Sequence, residues 1–433
     1  MSKLYRILFR EIPMNKELNP LSLIRKVTGV VATIAATIAL ISATSLVNAE
    51  IDQVKIDAVK ADMQARVDAG KLSGVVMMVA QDGEVLMNDA VGFQNVEDQV
   101  PMSTDSIFRI FSMTKPVVGT ALMMLYDEGK FTLDDALEKH IPALAGMEVF
   151  VSQNDDGSYV TEPADHPMTV RELMSHTGGL VYTPPLSQGP IANAYVEAGI
   201  MNLPNYTLAE SIPKLGGIPL SYQPGTQWVY SISVDVQGYL VEVLTGKTLD
   251  VFLKERLFDP LEMTDTAFFV SADNAERFAR QYRPKADGTL TRTDSGIFLK
   301  KPKFLSGGGG LTSTAADYMQ FAQMQLNMGM HNGKRLVSEE AIQLMRSNQL
   351  PEAVSGISQL YPGNVFGLDF AIVNDSAAYQ GAPVGTHWWW GIAGSWFWID
   401  PVENVVFIGM IQNDDILYSL QTHGAARSAI YGE

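Results

Sequence analysis

The chain is expected to fold as an α/β protein of the α+β kind: an antiparallel sheet formed from both chain ends, flanked by helices, with a mainly helical subdomain between. Strand signals gather at the two ends. Residues 75–80 and 84–92 flank Asp82-Gly83, a dipeptide that favours a two-residue hairpin turn. Residues 366–373, 387–390, 394–400 and 404–412 are rich in β-branched and aromatic side chains. Helix-start signals fill the middle. Thr169-Val170-Arg171-Glu172 is a capping box opening a helix through Met174. Ser313-Thr314 opens another through Leu326, Ser338-Glu339-Glu340 a third to Met345, and a last helix starts at Ile416. The four glycines 307–310 read as a tight turn entering the helix at 311–326, and 182–206, rich in Pro, Gly and Asn, as an irregular lid or linker.

Of the 433 residues, the first 49 read as a signal peptide. Arg25-Lys26 precede an uncharged run over 27–46, and Val47-Asn48-Ala49 offers a small-residue cleavage site before Glu50. An uncleaved anchor is the alternative, because the apolar run is nearly long enough to span a bilayer. Met14 is a second candidate start. Residues 50–433 then form one catalytic domain, with 50–108 and 330–433 as the sheet subdomain and 109–329 as the mainly helical one.

The net charge is −17, and a basic leader makes the remainder more acidic still. Such a surface repels nucleic acid and anionic membranes. There is no cysteine, which excludes disulfides, thiolate metal sites and a lipoprotein anchor. Together these features read as a periplasmic or secreted protein with no stable membrane anchor once the leader is removed.

The chemistry centres on Ser112-Met113-Thr114-Lys115, at the start of an apolar run over 116–126. Three residues of helix advance about 5 Å and bring serine and lysine onto neighbouring faces. The positive end of the helix dipole favours an alkoxide or oxyanion there. A second copy, Ser211-Ile212-Pro213-Lys214, reads as a decoy, since it closes a helix and contains a proline. Tyr230 is the best relay candidate, because a tyrosine beside a lysine cation ionises more easily. The run His387-Trp388-Trp389-Trp390-Gly391 could line a pocket, with glycine allowing close backbone approach.

Several rival signals are weaker. No G-x-S-x-G elbow supports a Ser-His-Asp reading. His176 reads as a helix terminator bonded to backbone, and His387 as a pocket-border or strand-end residue. No His/Asp/Glu cluster has metal-ligand spacing, so no metal or cofactor is expected. Residues 152–157 look like half a calcium loop, but position twelve is Pro163, and an Asp156-Gly157 turn explains them better.

Taken together, 108–116, Leu173-Met174-Ser175-His176-Thr177-Gly178-Gly179-Leu180, Tyr230-Ser231, 307–318 and 389–401 resemble, in order and spacing, the β-lactamase-like serine hydrolases of the β-lactamase/transpeptidase fold. Within them the chain is most similar to the family VIII carboxylesterases, including 1,4-butanediol diacrylate esterases. The resemblance spans nearly all of residues 50–433. It implies Ser112 as nucleophile, Lys115 as base, Tyr230 as general base or acid, and the backbone amides of Ser112 and Ile392 as oxyanion hole. Tyr182, His387, Trp389, Trp390 and Gly391 are the expected pocket residues for a small-molecule ester.

Two departures separate the chain from class C β-lactamases. Their Y-x-N becomes Tyr230-Ser231-Ile232, and their K-T-G becomes Trp389-Trp390-Gly391. An amide and a cation that hold a lactam have become an alkyl group and an indole, which suits neutral esters. The resemblance therefore implies an exported esterase. A β-lactamase or D,D-peptidase, or a catalytically silent cell-wall binding protein, are the competing readings.

Overall fold

The computed structural model describes residues 50–201 and 204–432. The expected leader lies outside the described residues. Helix α1 (Gln53–Asp68) is capped by Asp52, whose side chain accepts from the Lys55 amide. Strands β1 (Gly74–Gln81) and β2 (Glu84–Asn95) form the expected hairpin, followed by the short β3 (Val100–Pro101). Asp82 and Gly83 both have positive φ, +50° and +83°, as a primed hairpin turn requires. Near the other end come β4 (Asn364–Phe366), β5 (Ala371–Val373), β6 (His387–Trp390), β7 (Trp396–Asp400) and β8 (Val405–Met410).

These eight strands make one antiparallel sheet in the order β4-β5-β6-β7-β8-β1-β2-β3. The seam between the two ends of the chain is β1 against β8, with Val76 opposite Met410 and Gln81 opposite Val405. Every residue of β1, β7 and β8 is buried, so both sheet faces are covered. Adjacent residues of β7 show what covers them. The Trp396 ring stacks 4.6 Å from His423 of α5 (Ile416–Tyr431) on one face. On the other, Phe397 lies 4.9 Å from Tyr318 of α4 (Ala315–Leu326).

Between the two halves of the sheet run α2 (Thr114–Asp127), α3 (Ser233–Thr245) and α4. Twelve of the residues of α2 are buried without interruption from Thr114 to Leu125, which makes it the central helix. The expected capping box at Thr169 is present, opening Val170–Met174, and Thr314 caps α4 by accepting from Asp317. Four expectations need correction. Residues 366–373 are two strands rather than one, turned at Asp369 (φ +62°). The irregular 182–206 region contains the helix Pro190–Glu197, with Pro190 in its first turn. The helix expected over 311–326 begins only at Ala315, because Thr312–Ser313 pairs as a short strand with Phe108–Arg109. The middle region also holds two small hairpins, Glu148–Gln153 with Tyr159–Pro163 and Tyr282–Pro284 with Leu290–Arg292. The first of these accounts for the half calcium loop. No described helix is long and apolar enough to cross a membrane.

Candidate active site

Ser112 sits in the short 3-10 turn Phe111–Met113 that leads into α2, rather than inside α2 itself. Phe111, immediately before it, has φ +41°, a conformation costly for a side chain with a Cβ. Surrounding bonds hold the turn in place. The Met113 amide donates to the Ile110 carbonyl (3.0 Å), the Tyr318 hydroxyl donates to the Met113 carbonyl (2.9 Å), and Thr114 Oγ1 accepts from the Leu311 amide (3.1 Å). The strain at Phe111 is thus over-determined by packing from α4 and the glycine-rich loop.

Lys115 is fully buried, yet among the described residues no carboxylate pairs with it. Its Nζ lies 3.2 Å from Ser112 Oγ, 2.9 Å from the Tyr182 hydroxyl and 2.5 Å from the Gly308 carbonyl. Burial lowers its pKa to about 7, against the opposing attraction of the Asp235 and Asp369 carboxyls. A lysine in that range supplies neutral amine at neutral pH. The Tyr182 phenol, pushed well above its usual range chiefly by burial, stays protonated. It can accept from an ammonium or donate to an amine, so it suits both states of Lys115. Tyr182 therefore belongs to the lysine's cradle as much as to a pocket wall.

Tyr230 completes the group. Its hydroxyl accepts from Trp389 Nε1 at 3.1 Å, and its ring centroid is 4.6 Å from Lys115 Nζ. Burial raises its pKa, outweighing Ser112 and Trp389, which lower it. This corrects the expectation of an easily ionised tyrosine: desolvation wins, reinforced by the Asp369 and Asp235 carboxyls, so the free site holds a phenol. His176 supports the tyrosine segment from behind. Its Nδ1 accepts from the Ser231 amide (3.2 Å), and its ring lies 5.0 Å from that of Tyr230. Burial and the Lys115 charge keep His176 neutral.

The strand bearing the tryptophans divides by parity. Trp389 faces Tyr230 and Phe366, with centroids at 5.3 and 5.5 Å. Trp388 and Trp390 point to the opposite face. Trp388 stacks on Tyr379 and donates to Asn364, while Trp390 donates to the Tyr361 hydroxyl and packs on His423. Trp390 is thus not a wall on the Trp389 side. His387 is neither a pocket border nor a solvated strand end. It is fully buried, edge-on to Phe370 at 5.1 Å, and burial lowers its pKa to about 3.

Gly391 has a strict steric role. A Cβ there would lie 2.3 Å from the Ile110 carbonyl oxygen, so only glycine lets the end of β6 approach the turn carrying Ser112. Among the described residues the Ile392 amide has no hydrogen-bond acceptor, and it follows directly on this contact. The amides of Ser112 and Ile392 are the candidate oxyanion donors. A Gly391→Ala variant is expected to lose about 100-fold in kcat/KM for an activated ester, the scale of a misplaced donor. Steady-state kinetics on the folded variant check this, and an unchanged rate would remove Ile392 from the site.

Sequence reading missed the support beneath Lys115. Asp235, in the first turn of α3, accepts from Ser306 Oγ (2.6 Å) and the Gly308 amide (3.1 Å). It thereby turns the Gly308 carbonyl toward Lys115. Gly307 and Gly308 are required because Cβ atoms there would strike the Val234 carbonyl (2.3 Å) and Asp235 Oδ2 (2.7 Å). An acidic residue in an otherwise apolar helix start, five residues after Tyr230, was the available signal. The second Ser-x-x-Lys is not a pair. Lys214 Nζ bonds the Ala198 carbonyl and lies 3.5 Å from the Tyr206 ring centroid, while Ser211 is buried. Among the described residues no group of three His, Asp or Glu could hold a metal ion.

A family model described as Beta-lactamase matches residues 59–419. The chain belongs to the beta-lactamase family. Among relatives of this beta-lactamase-family protein, the uncharacterized protein MT1414 of Mycobacterium tuberculosis is 36% identical over 372 residues, covering 83% of this chain and 90% of that protein. Esterase EstB of Burkholderia gladioli is 31% identical over 381 residues, covering 81% of this chain and 90% of EstB. The solved structure of EstCE1, described as a hydrolase with promiscuous acyltransferase activity, has a TM-score of 0.74 at 24% identity, covering 88% of this chain and 99% of that one. The likeness to EstB agrees with the resemblance to family VIII esterases, and that to EstCE1 with the fold.

Proposed function

We propose that this beta-lactamase-family protein is a serine esterase working through a Ser112 acyl-enzyme. The observation that carries the proposal is the buried Lys115, with its pKa near 7 and its Nζ 3.2 Å from Ser112 Oγ. Neutral Lys115 takes the serine proton as Oγ attacks the ester carbonyl. The Ser112 and Ile392 amides hold the developing oxyanion. Tyr230, a phenol whose ring lies 4.6 Å from Lys115 Nζ, donates its proton to the leaving alcohol and is reprotonated from Lys115. Water, or a second alcohol, then takes the place of the leaving alcohol and the steps reverse. EstB is an esterase and EstCE1 a hydrolase with acyltransferase activity, and both support this choice of chemistry.

Neutral esters are favoured over β-lactams by what stands beside Tyr230. Ile232 is fully buried and offers no side-chain amide, and the Trp389 indole donates to the Tyr230 hydroxyl where a lysine would attract a carboxylate. Side-by-side turnover of p-nitrophenyl butyrate and nitrocefin tests the proposal. The ester is expected to give a kcat/KM at least about 100-fold higher, a gap of two decades or ~2.7 kcal/mol in transition-state binding. Dominant nitrocefin cleavage would instead install the β-lactamase reading. We also propose export to the periplasm or beyond, on the strength of the basic-then-apolar leader. N-terminal sequencing of the protein purified from its host should begin at Glu50, and an intact leader there would refute cleavage.

A further inference from the structure

Asp294 lies outside the catalytic group, yet its carboxylate is only 2% exposed and is ringed by three guanidinium groups. Arg292 Nε donates to it at 2.6 Å, Arg109 Nη2 is 3.6 Å away and Arg280 Nη1 3.9 Å. Arg109 is itself buried three residues before Ser112. It donates to the Ala279 carbonyl (2.8 Å) and lies over the Phe278 ring at 3.9 Å. One buried carboxylate drawing its neighbour Arg292 together with Arg109 and Arg280 from other parts of the chain is a costly arrangement to maintain.

The residues that follow give the arrangement a purpose. Gly296 (φ +68°) turns the chain into the short helix Ile297–Leu299. Phe298 packs edge-on against Phe111 with centroids 5.6 Å apart, lies 5.8 Å from the Arg109 guanidinium, and its carbonyl accepts from the Val270 amide (2.8 Å). Its neighbours Ile297 and Leu299 are 45% and 37% exposed, and Ile392, whose amide is the second candidate oxyanion donor, is 37% exposed. Apolar side chains left open on either side of Phe298, which packs on the residue before Ser112, on a chain of net charge −17, mark a surface that substrate covers.

We infer that Asp294 is a specificity-determining positioning residue that clamps the Ile297–Leu299 strap against Phe111 to form the apolar wall of an acyl-chain subsite. The inference rests on the esterase reading. In that reading the leaving alcohol must reach Tyr230, whose surroundings are the separate cluster of Tyr182, Trp228 and Trp389. The strap, in contact with Phe111 instead, is left to the acyl chain.

The test compares kcat/KM for p-nitrophenyl acetate and octanoate, and for methyl and octyl acetate, in wild type, Asp294→Asn and Phe298→Ala. Both variants are expected to lower the octanoate-to-acetate ratio about tenfold, the scale of a lost methylene-sized contact. Acetate turnover should be largely kept and the methyl-to-octyl ratio unmoved. Phe298→Ala leaves the buried ion cluster intact and carries the test alone if Asp294→Asn does not fold. An equal loss at every acyl length would make the strap merely structural, and a shift in the alcohol series would move the subsite to the other side; either overturns the inference while leaving the esterase reading. No ester turnover by wild type would remove that reading and the subsite with it.

Discussion

Ser112→Ala is expected to reduce kcat/KM for p-nitrophenyl butyrate by about 10⁵-fold, roughly 7 kcal/mol of transition-state stabilisation. The size follows from the chemistry. Without Oγ there is no acyl-enzyme, and the remaining oxyanion donors can only assist direct attack by water. The variant should fold normally, because Ser112 is half-buried in a turn whose fixing bonds come from Met113, Thr114 and Tyr318. Two measurements check it together: steady-state kinetics, and mass spectrometry after a fluorophosphonate probe, which should label wild type once and the variant not at all. Full ester turnover in a folded Ser112→Ala protein would end the acyl-enzyme scheme.

Lys115→Met is expected to cost about 10³- to 10⁴-fold in kcat/KM, the upper range for loss of a general base. Lys115 acts as base only when neutral and its pKa is about 7, so wild-type kcat/KM should rise with pH through about 7 and level off above it. In Lys115→Met that acid limb should disappear, leaving a low, flat profile. A limb that persists near 7 would assign it to another group. His387 and His423 are poor substitutes, because burial lowers both to about 3.

The same substitution should raise stability. Because the folded pKa of Lys115 lies below that of an exposed lysine, the unfolded chain binds more protons between about pH 7 and 10.5. Wild-type stability therefore climbs across that window, and below it the full penalty of burying the ammonium applies. A methionine of similar length removes the penalty at the expense of leaving the Gly308 carbonyl without its donor. A net gain on the order of 1–3 kcal/mol at pH 7 is expected, read as a higher midpoint in denaturant. An inactive but more stable variant would identify Lys115 as a group retained for chemistry against the interest of the fold.

Much of this protein could be read from local chemistry. The Asp82-Gly83 hairpin, the Thr169 capping box and the Thr314 cap all appear where the side chains demanded them. Each depends on residues within four positions of one another, and such signals survive any tertiary context. The proximity of Ser112 and Lys115 is of the same kind. Elements whose boundaries depend on burial were harder. Residues 366–373 read as one strand because a fully covered sheet gives no alternation to mark the break at Asp369.

Side-chain direction in a buried strand was equally out of reach. His387, Trp389 and Trp390 are neighbours in sequence, but only the register of β6 on β7, with Trp389 opposite Phe397, settles which face each one takes.

The sequence by itself determined the sheet built from both ends, the Ser112–Lys115 proximity and the family, because these rest on short-range spacing and composition. Tertiary structure alone decided the protonation states at the candidate site. Lys115 has a pKa near 7, and Tyr230 is a phenol, only because distant segments exclude water from them. The Gly308 carbonyl reaches Lys115 only because Asp235 holds its loop from another helix. Desolvation and long-range packing sum over the whole fold, and no local window of sequence contains them.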